Sequence, residues 1–345
     1  MRDLVRFVKD IAAPPYLRVK STFTFDIGGD WRDSVFLSSG ARTGSTWVAE
    51  LINYNNEYRF MYEPSLSRPL LPRNHAQTTF DRRILYIRPE DDDADLREQA
   101  LQVLDGRFHD SRTDRYNRRL FSRRRLVKEV TSNLFIRWLA CSFPGLPIIL
   151  LLRHPMPTVR SRAYEYFQAD AVGRRLLDMD PAARTREYLR LVFGQTDLVK
   201  DHLEPMRDVL ESAQTVWEQR IAVWCVQNYV PLRQFQPGTI HLAFYENFCV
   251  DPQSELRRLF GFLGRPVDDA ALDRIRIPSQ SMQHGGVTQM PDGWEVVSRW
   301  RKKVSDEEME SGLRILRAFG LDQVYSAEPM PDIGAAYALL GRAAG

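Results

Sequence analysis

The apolar run Val35-Phe36-Leu37 passes through Ser38 and Ser39 into a small-residue turn, Gly40-Ala41-Arg42-Thr43-Gly44, and Ser45-Thr46-Trp47 then opens an amphipathic helix. A strand, a tight turn and a helix in that order aim several backbone N–H groups and the positive end of a helix dipole at one spot, which suits an anion. Gly44 lets the backbone approach such an anion closely. Thr43, Ser45 and Thr46 add hydroxyl donors, and Arg42 adds a fixed charge. Small polar residues also serve ordinary strand–turn–helix connections, but the combination favours a phosphate site.

The nucleoside-triphosphatase loop reads GxxxxGK[ST]. Here three residues rather than four separate Gly40 from Gly44, and Ser45 stands where the lysine should be. A magnesium-binding aspartate is also expected at the end of another central strand. The candidate strand instead runs Ile148-Ile149-Leu150-Leu151-Leu152 into Arg153-His154-Pro155, a basic end suited to an anion. ATP with magnesium therefore fits poorly.

Short β-rich runs alternate with longer helical stretches, which predicts an α/β protein with a P-loop-type central parallel sheet flanked by helices. Strands are expected at 34–38, 59–62, 125–130, 147–152 and 239–244, with 84–87 a further candidate. Helices are expected at 45–54, 134–141, 156–168, 187–202, 212–233, 252–263 and 306–319. Leu146–Leu152 is apolar throughout apart from Pro147, as a central strand buried on both faces should be. Ser305 followed by Glu308 reads as a capping box. Residues 64–125 and 278–299 are polar, poor in clear elements and read as loop insertions on one domain spanning 31–325. A basic lead-in (1–30) and a C-terminal tail (326–345) flank that domain.

The 345 residues are 43% hydrophobic and 27% charged, the composition of a globular protein with a sizeable core. That excludes collagen-like, mucin-like and wholly disordered chains. A net charge of +3, from 48 basic and 45 acidic residues, does not point to nucleic acid. No apolar run approaches the ~20 residues of a membrane span, and Arg6, Lys9 and Asp10 interrupt any signal-peptide core. Three widely separated cysteines fit buried thiols in a reducing compartment. The six histidines show no paired ligand spacing, so no metal is expected.

Arg42-Thr43-Gly44-Ser45-Thr46-Trp47 resembles the loop that binds the 5′-phosphosulfate of 3′-phosphoadenosine 5′-phosphosulfate (PAPS) in sulfotransferases. A second motif of that family is an Arg at a strand end with a Ser eight residues later, here Arg153 and Ser161; in relatives the pair holds the 3′-phosphate. Phe244-Tyr245-Glu246-Asn247, followed by Asp251-Pro252 and Phe262-Leu263-Gly264, resembles the segment whose tyrosine lies against the adenine. Arg299-Trp300-Arg301-Lys302 weakly resembles the closing Trp-Lys segment. The resemblance spans most of 35–264 and implies PAPS as co-substrate and PAP as product. Arg42, Thr43, Gly44, Ser45, Thr46, Trp47, Arg153, Ser161, Tyr245 and Arg299 are then the nucleotide-binding candidates, with Trp47 equally readable as core. PAPS is anionic at both ends, so its site needs two separated anion pockets. Sulfuryl transfer needs no metal, and catalysis should come from positioning and charge stabilisation.

The acceptor hydroxyl needs a base. Where cytosolic small-molecule sulfotransferases carry a His after a strand Lys, this chain has Lys128-Glu129-Val130, which departs from that subgroup. Arg59-Phe60-Met61-Tyr62-Glu63-Pro64 is closer to carbohydrate, tyrosyl-protein and bacterial sulfotransferases, where a Glu at the second strand's end takes the proton. Glu63 is therefore the expected base and Glu129 its competitor. Lys128 either assists the leaving group or pairs with a carboxylate. His109 is a weaker candidate, and His154 is expected to position its turn. The cluster Arg112, Arg115, Arg118, Arg119, Arg123, Arg124, Arg125 reads as a solvated helix face balanced by Glu90–Asp93; an anionic acceptor or nucleic acid is the alternative.

The whole reads as a cytoplasmic PAPS-dependent enzyme acting on a hydroxyl, less readily an amine, of a small-molecule, lipid or glycan acceptor. No nucleic acid or stable membrane insertion is expected, and a homo-oligomer is possible. Segments 64–125 and 176–206 are expected to shape the acceptor pocket. Golgi relatives carry an N-terminal anchor, and none is evident here. Two rivals remain: a P-loop kinase or nucleotidase, and a non-catalytic polyanion-binding module.

Overall fold

In a computed structural model of the chain, residues 24–64, 85–168, 181–280 and 289–341 are described, with the side chains of 162–168, 181–184 and 187 left aside. The elements in chain order begin with β1 (Phe25–Asp26), β2 (Ser34–Ser39), α1 (Ser45–Ile52) and β3 (Tyr58–Tyr62). Then come α2 (Ala94–Leu104), β4 (Phe121–Ser122), β5 (Arg124–Glu129), α3 (Ile136–Ser142), β6 (Ile148–Leu152) and α4 (Pro155–Gln168). After α5 (Pro181–Phe193) the chain reaches α6 (Val216–Gln234), β7 (His241–Phe244), α7 (Tyr245–Val250), α8 (Pro252–Phe262) and α9 (Asp269–Arg274). The last helices are α10 (Gly293–Ser298), α11 (Asp306–Ala318) and α12 (Ile333–Leu339).

Five strands form a parallel sheet in the order β3-β5-β2-β6-β7. Every residue of β2 and β6 is buried, because helices cover both faces. One core lies between the sheet and α3, α6 and α11; the other holds α1, α7 and α8. Ala336, Leu339 and Leu340 near the C-terminus belong to the first core. The chain runs from β2 outward to β3 and β5, then crosses back over β2 to β6 and β7. The connections thus diverge at β2, and ligands of open α/β sheets bind at the carboxyl ends of the strands where such a divergence occurs. Ser39, Glu63, Glu129, Arg153 and Tyr245 all lie at those ends.

The edge strand β3 is covered by the strap 110–117, which runs along its free side. Thr113 O accepts from Tyr62 N (2.9 Å) and Asn117 Oδ1 from Phe60 N (2.6 Å). Asp114 meets the Arg59 guanidinium at 2.8 and 2.9 Å, both side chains being fully buried. Arg59 also donates to Gly106 O and Phe108 O at 2.6 Å each. His109 contributes here, its Nδ1 lying 3.2 Å from Arg59, and so belongs to the strap rather than to any reaction.

Several expectations need correction. Residues 85–87 form no strand, and residue 84 lies outside the described residues. The 64–125 stretch is not structureless, since the acidic run supplies the cap of α2: Asp93 accepts from Leu96 N, and acidic residues favour a helix N-terminus. The 278–299 stretch contains α10, capped by Asp292. The helix expected at 187–202 ends at Phe193, and Gly194 separates it from a short π-helical turn, Val199–Leu203. The Ser305/Glu308 capping box is formed as expected, and Thr215/Glu218 forms another at the start of α6. Among the described residues no helix is long and apolar enough to cross a membrane. The lead-in (1–23), 65–84, 176–180 and 281–288 lie outside the described residues.

Removing one member of a buried ion pair leaves the other charge stranded. Asp114→Ala should therefore lower unfolding stability by about 3–5 kcal/mol in urea titration. A loss below about 1 kcal/mol would mean that the pair does not hold the strap.

Candidate active site

The turn after β2 is built by two left-handed residues, Arg42 (φ 70°) and Gly44 (φ 86°). Thr43 Oγ1 closes it by donating to Gly40 O at 2.9 Å. Gly44 caps α1 without a side-chain hydrogen bond, so no side chain competes for the N–H groups at that helix end. A Cβ at Gly44 would stand 2.4 Å from a ring carbon of Tyr245. The glycine is thus required twice, by its backbone conformation and by the ring pressed onto it.

Because β2 and β6 are neighbours, the turns that follow them lie side by side. Arg153 Nη1 donates to Arg42 O (3.1 Å), and Arg42 Nε donates to Ser161 Oγ on α4 (3.2 Å). The two groups expected as separated anion pockets therefore adjoin. The Arg153 guanidinium lies over the Tyr245 ring at 4.0 Å, and its Nε is buried without a hydrogen-bond partner. Trp47 is a packing residue: it is 2% exposed and meets Tyr245 and Phe248 edge-on. Its indole supports Tyr245 from behind rather than facing the turn.

The Arg153 turn has a buried foundation. His154 N donates to Glu246 Oε1 at 2.8 Å, and Tyr325 OH lies 3.4 Å from Glu246 Oε2. Burial pushes the Glu246 carboxyl up to about 7, against the pull of the His154 N–H and of Arg153. Burial also holds the His154 imidazole down at about 3, so the ring is neutral. Its Nε2–H faces Ser326 O (3.1 Å), Nδ1 accepts from Met156 N (3.3 Å), and Trp300 stacks on it at 4.3 Å. These contacts make His154 the positioning residue the sequence suggested. They also add Glu246 and Tyr325, which sequence reasoning did not single out; a carboxylate beside Tyr245 was the available signal. Exposed Arg299 starts the turn after α10, which packs on α7 so closely that a Cβ at Gly293 would stand 1.9 Å from Cys249 O. Burial pushes the Cys249 thiol up to about 12, opposed by the nearby charges of Arg153 and Arg299.

On the other side of β2, Glu63 follows β3 with φ 45°, rare for a residue with a side chain. Its N–H donates to Lys128 O (2.8 Å). Both carboxylate oxygens are engaged: Lys128 Nζ lies 2.5 Å from Oε1, and Arg112 Nη2 lies 3.3 Å from Oε2. Burial alone would raise the Glu63 pKa, but the Lys128 and Arg112 charges outweigh it and hold the carboxyl below its ordinary value. Burial likewise pulls the Lys128 ammonium down, opposed by Glu63. Glu129 lies on the next position of β5 and is tied into its own turn by Val130 N (2.8 Å) and Thr131 Oγ1 (3.1 Å). Its carboxyl is fully buried, with a raised pKa. Lys128 thus pairs closely with Glu63. One strand separates Glu63 from the Arg42 turn, about 10 Å at the usual strand spacing. Ser38 donates to Asn133 Oδ1 (2.7 Å) and ties β2 to the turn after β5, a contact that the sequence did not disclose.

The arginine cluster does not form a helix face. Arg125 is buried against Asp26 (2.5 Å), Arg124 faces Glu57 (3.8 Å), and Arg119 donates to Asn55 O (3.2 Å). None of these partners belongs to the Glu90–Asp93 run. Among the described residues no group of three or more His, Cys, Asp or Glu could hold a metal ion.

The family model described as the sulfotransferase family matches residues 34–269. The chain belongs to the sulfotransferase family. No curated protein matches it. Solved structures similar to this sulfotransferase-family chain include the sulfotransferase domain from the curacin biosynthetic pathway, at 15% identity and TM-score 0.42, covering 82% of this chain and 95% of that one. The sulfotransferase domain of the Synechococcus olefin synthase matches at 16% identity and TM-score 0.43, covering 83% and 94%. Retinol dehydratase in complex with androsterone and inactive cofactor PAP matches at 12% identity and TM-score 0.41, covering 91% and 88%.

The clash at Gly44 can be separated from its backbone conformation. Gly238 has a similar φ of 83° but open space around a Cβ. Gly238→Ala should cost about 1–2 kcal/mol for left-handed backbone alone. Gly44→Ala should cost more, because Tyr245 must also move. Equal losses in urea titration would mean that the ring does not depend on Gly44.

Proposed function

We propose that the chain transfers the sulfuryl group of PAPS to a hydroxyl of a carbohydrate, lipid or small natural product and releases PAP. Beyond family membership, one observation carries this reading. The Arg42 turn and the Arg153–Ser161 pair meet at hydrogen-bond distance, with a buried Arg153 N–H lacking a partner. Buried donors in native proteins are nearly always satisfied, and an anionic nucleotide would supply acceptors to both turns.

In this reading the 42–46 turn, its hydroxyls and the α1 N-terminus hold the 5′-phosphosulfate. Arg153 and Ser161 hold the 3′-phosphate, with Arg299 close by on the α10 turn. Tyr245, fixed between Gly44, Trp47 and Arg153, forms the wall against the base. Glu63 takes the proton as the acceptor oxygen bonds to sulfur and the sulfur–oxygen bond to the 5′-phosphate breaks. Lys128, held between Glu63 and the β2 end, stabilises charge on the transferring group and the leaving oxygen. It can serve there only by leaving its close pairing with Glu63, and that release also restores the basicity of the carboxylate.

PAP should stabilise the protein without metal, by about 2.7 kcal/mol at a hundred times its dissociation constant. ATP with Mg²⁺ should do little. The reverse pattern would favour a P-loop kinase. In the second test, Glu63→Gln should cut kcat by roughly 10²–10⁴, the usual contribution of a general base, with PAP affinity retained. Unchanged turnover would remove Glu63 from the role.

A further inference from the structure

Five arginines of the cluster fall into two groups. Arg125, Arg124 and Arg119 have the partners described above, at the far end of β5 or along the edge of the sheet. Arg112 and Arg115 instead lie on the strap and face Glu63 and Tyr62. Arg112 reaches Glu63 Oε2 with a side chain that is 45% exposed. The Arg115 guanidinium is 4.2 Å from the Tyr62 ring and 4.7 Å from that of Tyr116, and its Nε is buried without a hydrogen-bond partner. Lys128 Nζ lies over the other side of this group, 4.5 Å from the Tyr62 ring. Two cations thus engage one carboxylate at the carboxyl end of β3, and a third lies against the ring of the adjacent Tyr62. Glu129, the nearest other acid, is buried in its own turn.

This arrangement presents the proposed base in a blocked form. Both of its oxygens are engaged, and its neighbours hold it at low basicity. A base in that state is a poor proton acceptor. Lys128 has an anionic destination in the sulfuryl donor; among the described residues the Arg112 guanidinium forms an ion pair with Glu63 alone. The strap that carries it is fixed to β3 by Thr113, Asp114 and Asn117, so its backbone does not need to move for the side chain to turn away.

We propose that the acceptor carries an anionic group, carboxylate, sulfate or phosphate, which Arg112 and Arg115 bind beside Glu63, and that this group draws Arg112 off the carboxylate. The inference rests on the sulfuryl-transfer reading above. Binding the correct acceptor then frees Glu63 Oε2 to take the proton of the neighbouring hydroxyl, so recognition and activation of the base are one event. A neutral acceptor leaves Arg112 in place and the base blocked.

The test uses acceptor pairs that differ in one charge and keep the same hydroxyls: 4-nitrophenyl β-D-glucuronide against the corresponding glucuronamide, and 3-hydroxybenzoate against 3-hydroxybenzamide. Wild-type kcat/KM should favour the anionic member by about tenfold or more, the range for one charge-assisted hydrogen bond. Arg112→Gln, at a half-exposed position, should erase that preference. It should also move the acid limb of the pH profile upward, because a charge that lowers the Glu63 pKa is gone. A merely structural role for Arg112 would reduce both members of a pair alike and leave the pH limb in place, and that result overturns the proposal. If none of the four is turned over, PAP-saturated protein should still gain thermal stability with the anionic member of a pair and not with the neutral one; no such difference also overturns it. Absence of any PAP shift rejects the sulfuryl-transfer reading itself, whereas a PAP shift without charge preference rejects only this inference.

Discussion

The contact between the Tyr245 ring and Gly44 ties together parts of the chain two hundred residues apart. It presses the first turn of α7 onto the first turn of α1 and leaves no room for any side chain at residue 44. The Arg153 guanidinium stacks on the same ring, so the charge that follows β6 is set by a residue that follows β7. Cation–π stacking of this kind orients a guanidinium while leaving its N–H groups available for an anion. Trp47 and Phe248 support the ring. Three strand ends are thus fixed by one aromatic ring, and the nucleotide-facing surface depends on apolar packing as much as on charge.

The other half of the site depends on the edge of the sheet. A free edge strand would be both a pairing hazard and a poorly fixed support. The 110–117 strap satisfies the edge and anchors itself with the fully buried Arg59–Asp114 pair. Arg59 anchors the start of β3 to the strap, and Glu63, four residues later, stands at the strand's carboxyl end. The left-handed backbone at Glu63 turns the chain sharply at the point where its side chain must meet Lys128. Strain of this kind persists only where the surroundings over-determine it, and here two backbone hydrogen bonds and two ion pairs do so.

The strands β2 and β6 were legible in the sequence because their signals are local. They and the Gly44 turn carry apolar runs and small residues that admit few alternatives, whereas Arg153 with Ser161 stood out only through the resemblance to a family motif. Capping at Ser305 was legible for the same reason. Short helices escaped notice: α2, α7 and α10 span 11 or 6 residues, and α7 begins directly at the end of β7, where apolar periodicity cannot distinguish them. Trp47 could be read either as a nucleotide contact or as core, since an exposed helix face and a buried one share the same residue types. The arginine cluster shows the limit most clearly. Neighbours in sequence, Arg112 and Arg125 end at opposite ends of the sheet, one on Glu63 and the other on Asp26. Only the path of the strap assigns them, and no local rule encodes that path.

Charge distribution links the two halves. Around the Arg42 turn, Arg153 is held by the Arg42 carbonyl and the Tyr245 ring, and buried Glu246 is turned toward the His154 backbone. At the end of β3 the Glu63 carboxylate faces Lys128 and Arg112, with Arg115 on the Tyr62 ring. Stacking and a backbone contact hold Arg153, stacking holds Arg115, and the Glu63 carboxylate holds Lys128 and Arg112. Cations in excess of their carboxylates favour anions. Lys128 sits at the boundary, on the strand between Glu63 and the Arg42 turn, and in the proposed reaction it must exchange its partner, as Arg112 must. Its burial lowers the cost of that exchange, because an ammonium already stripped of water gives up little solvation when it moves from one anion to another.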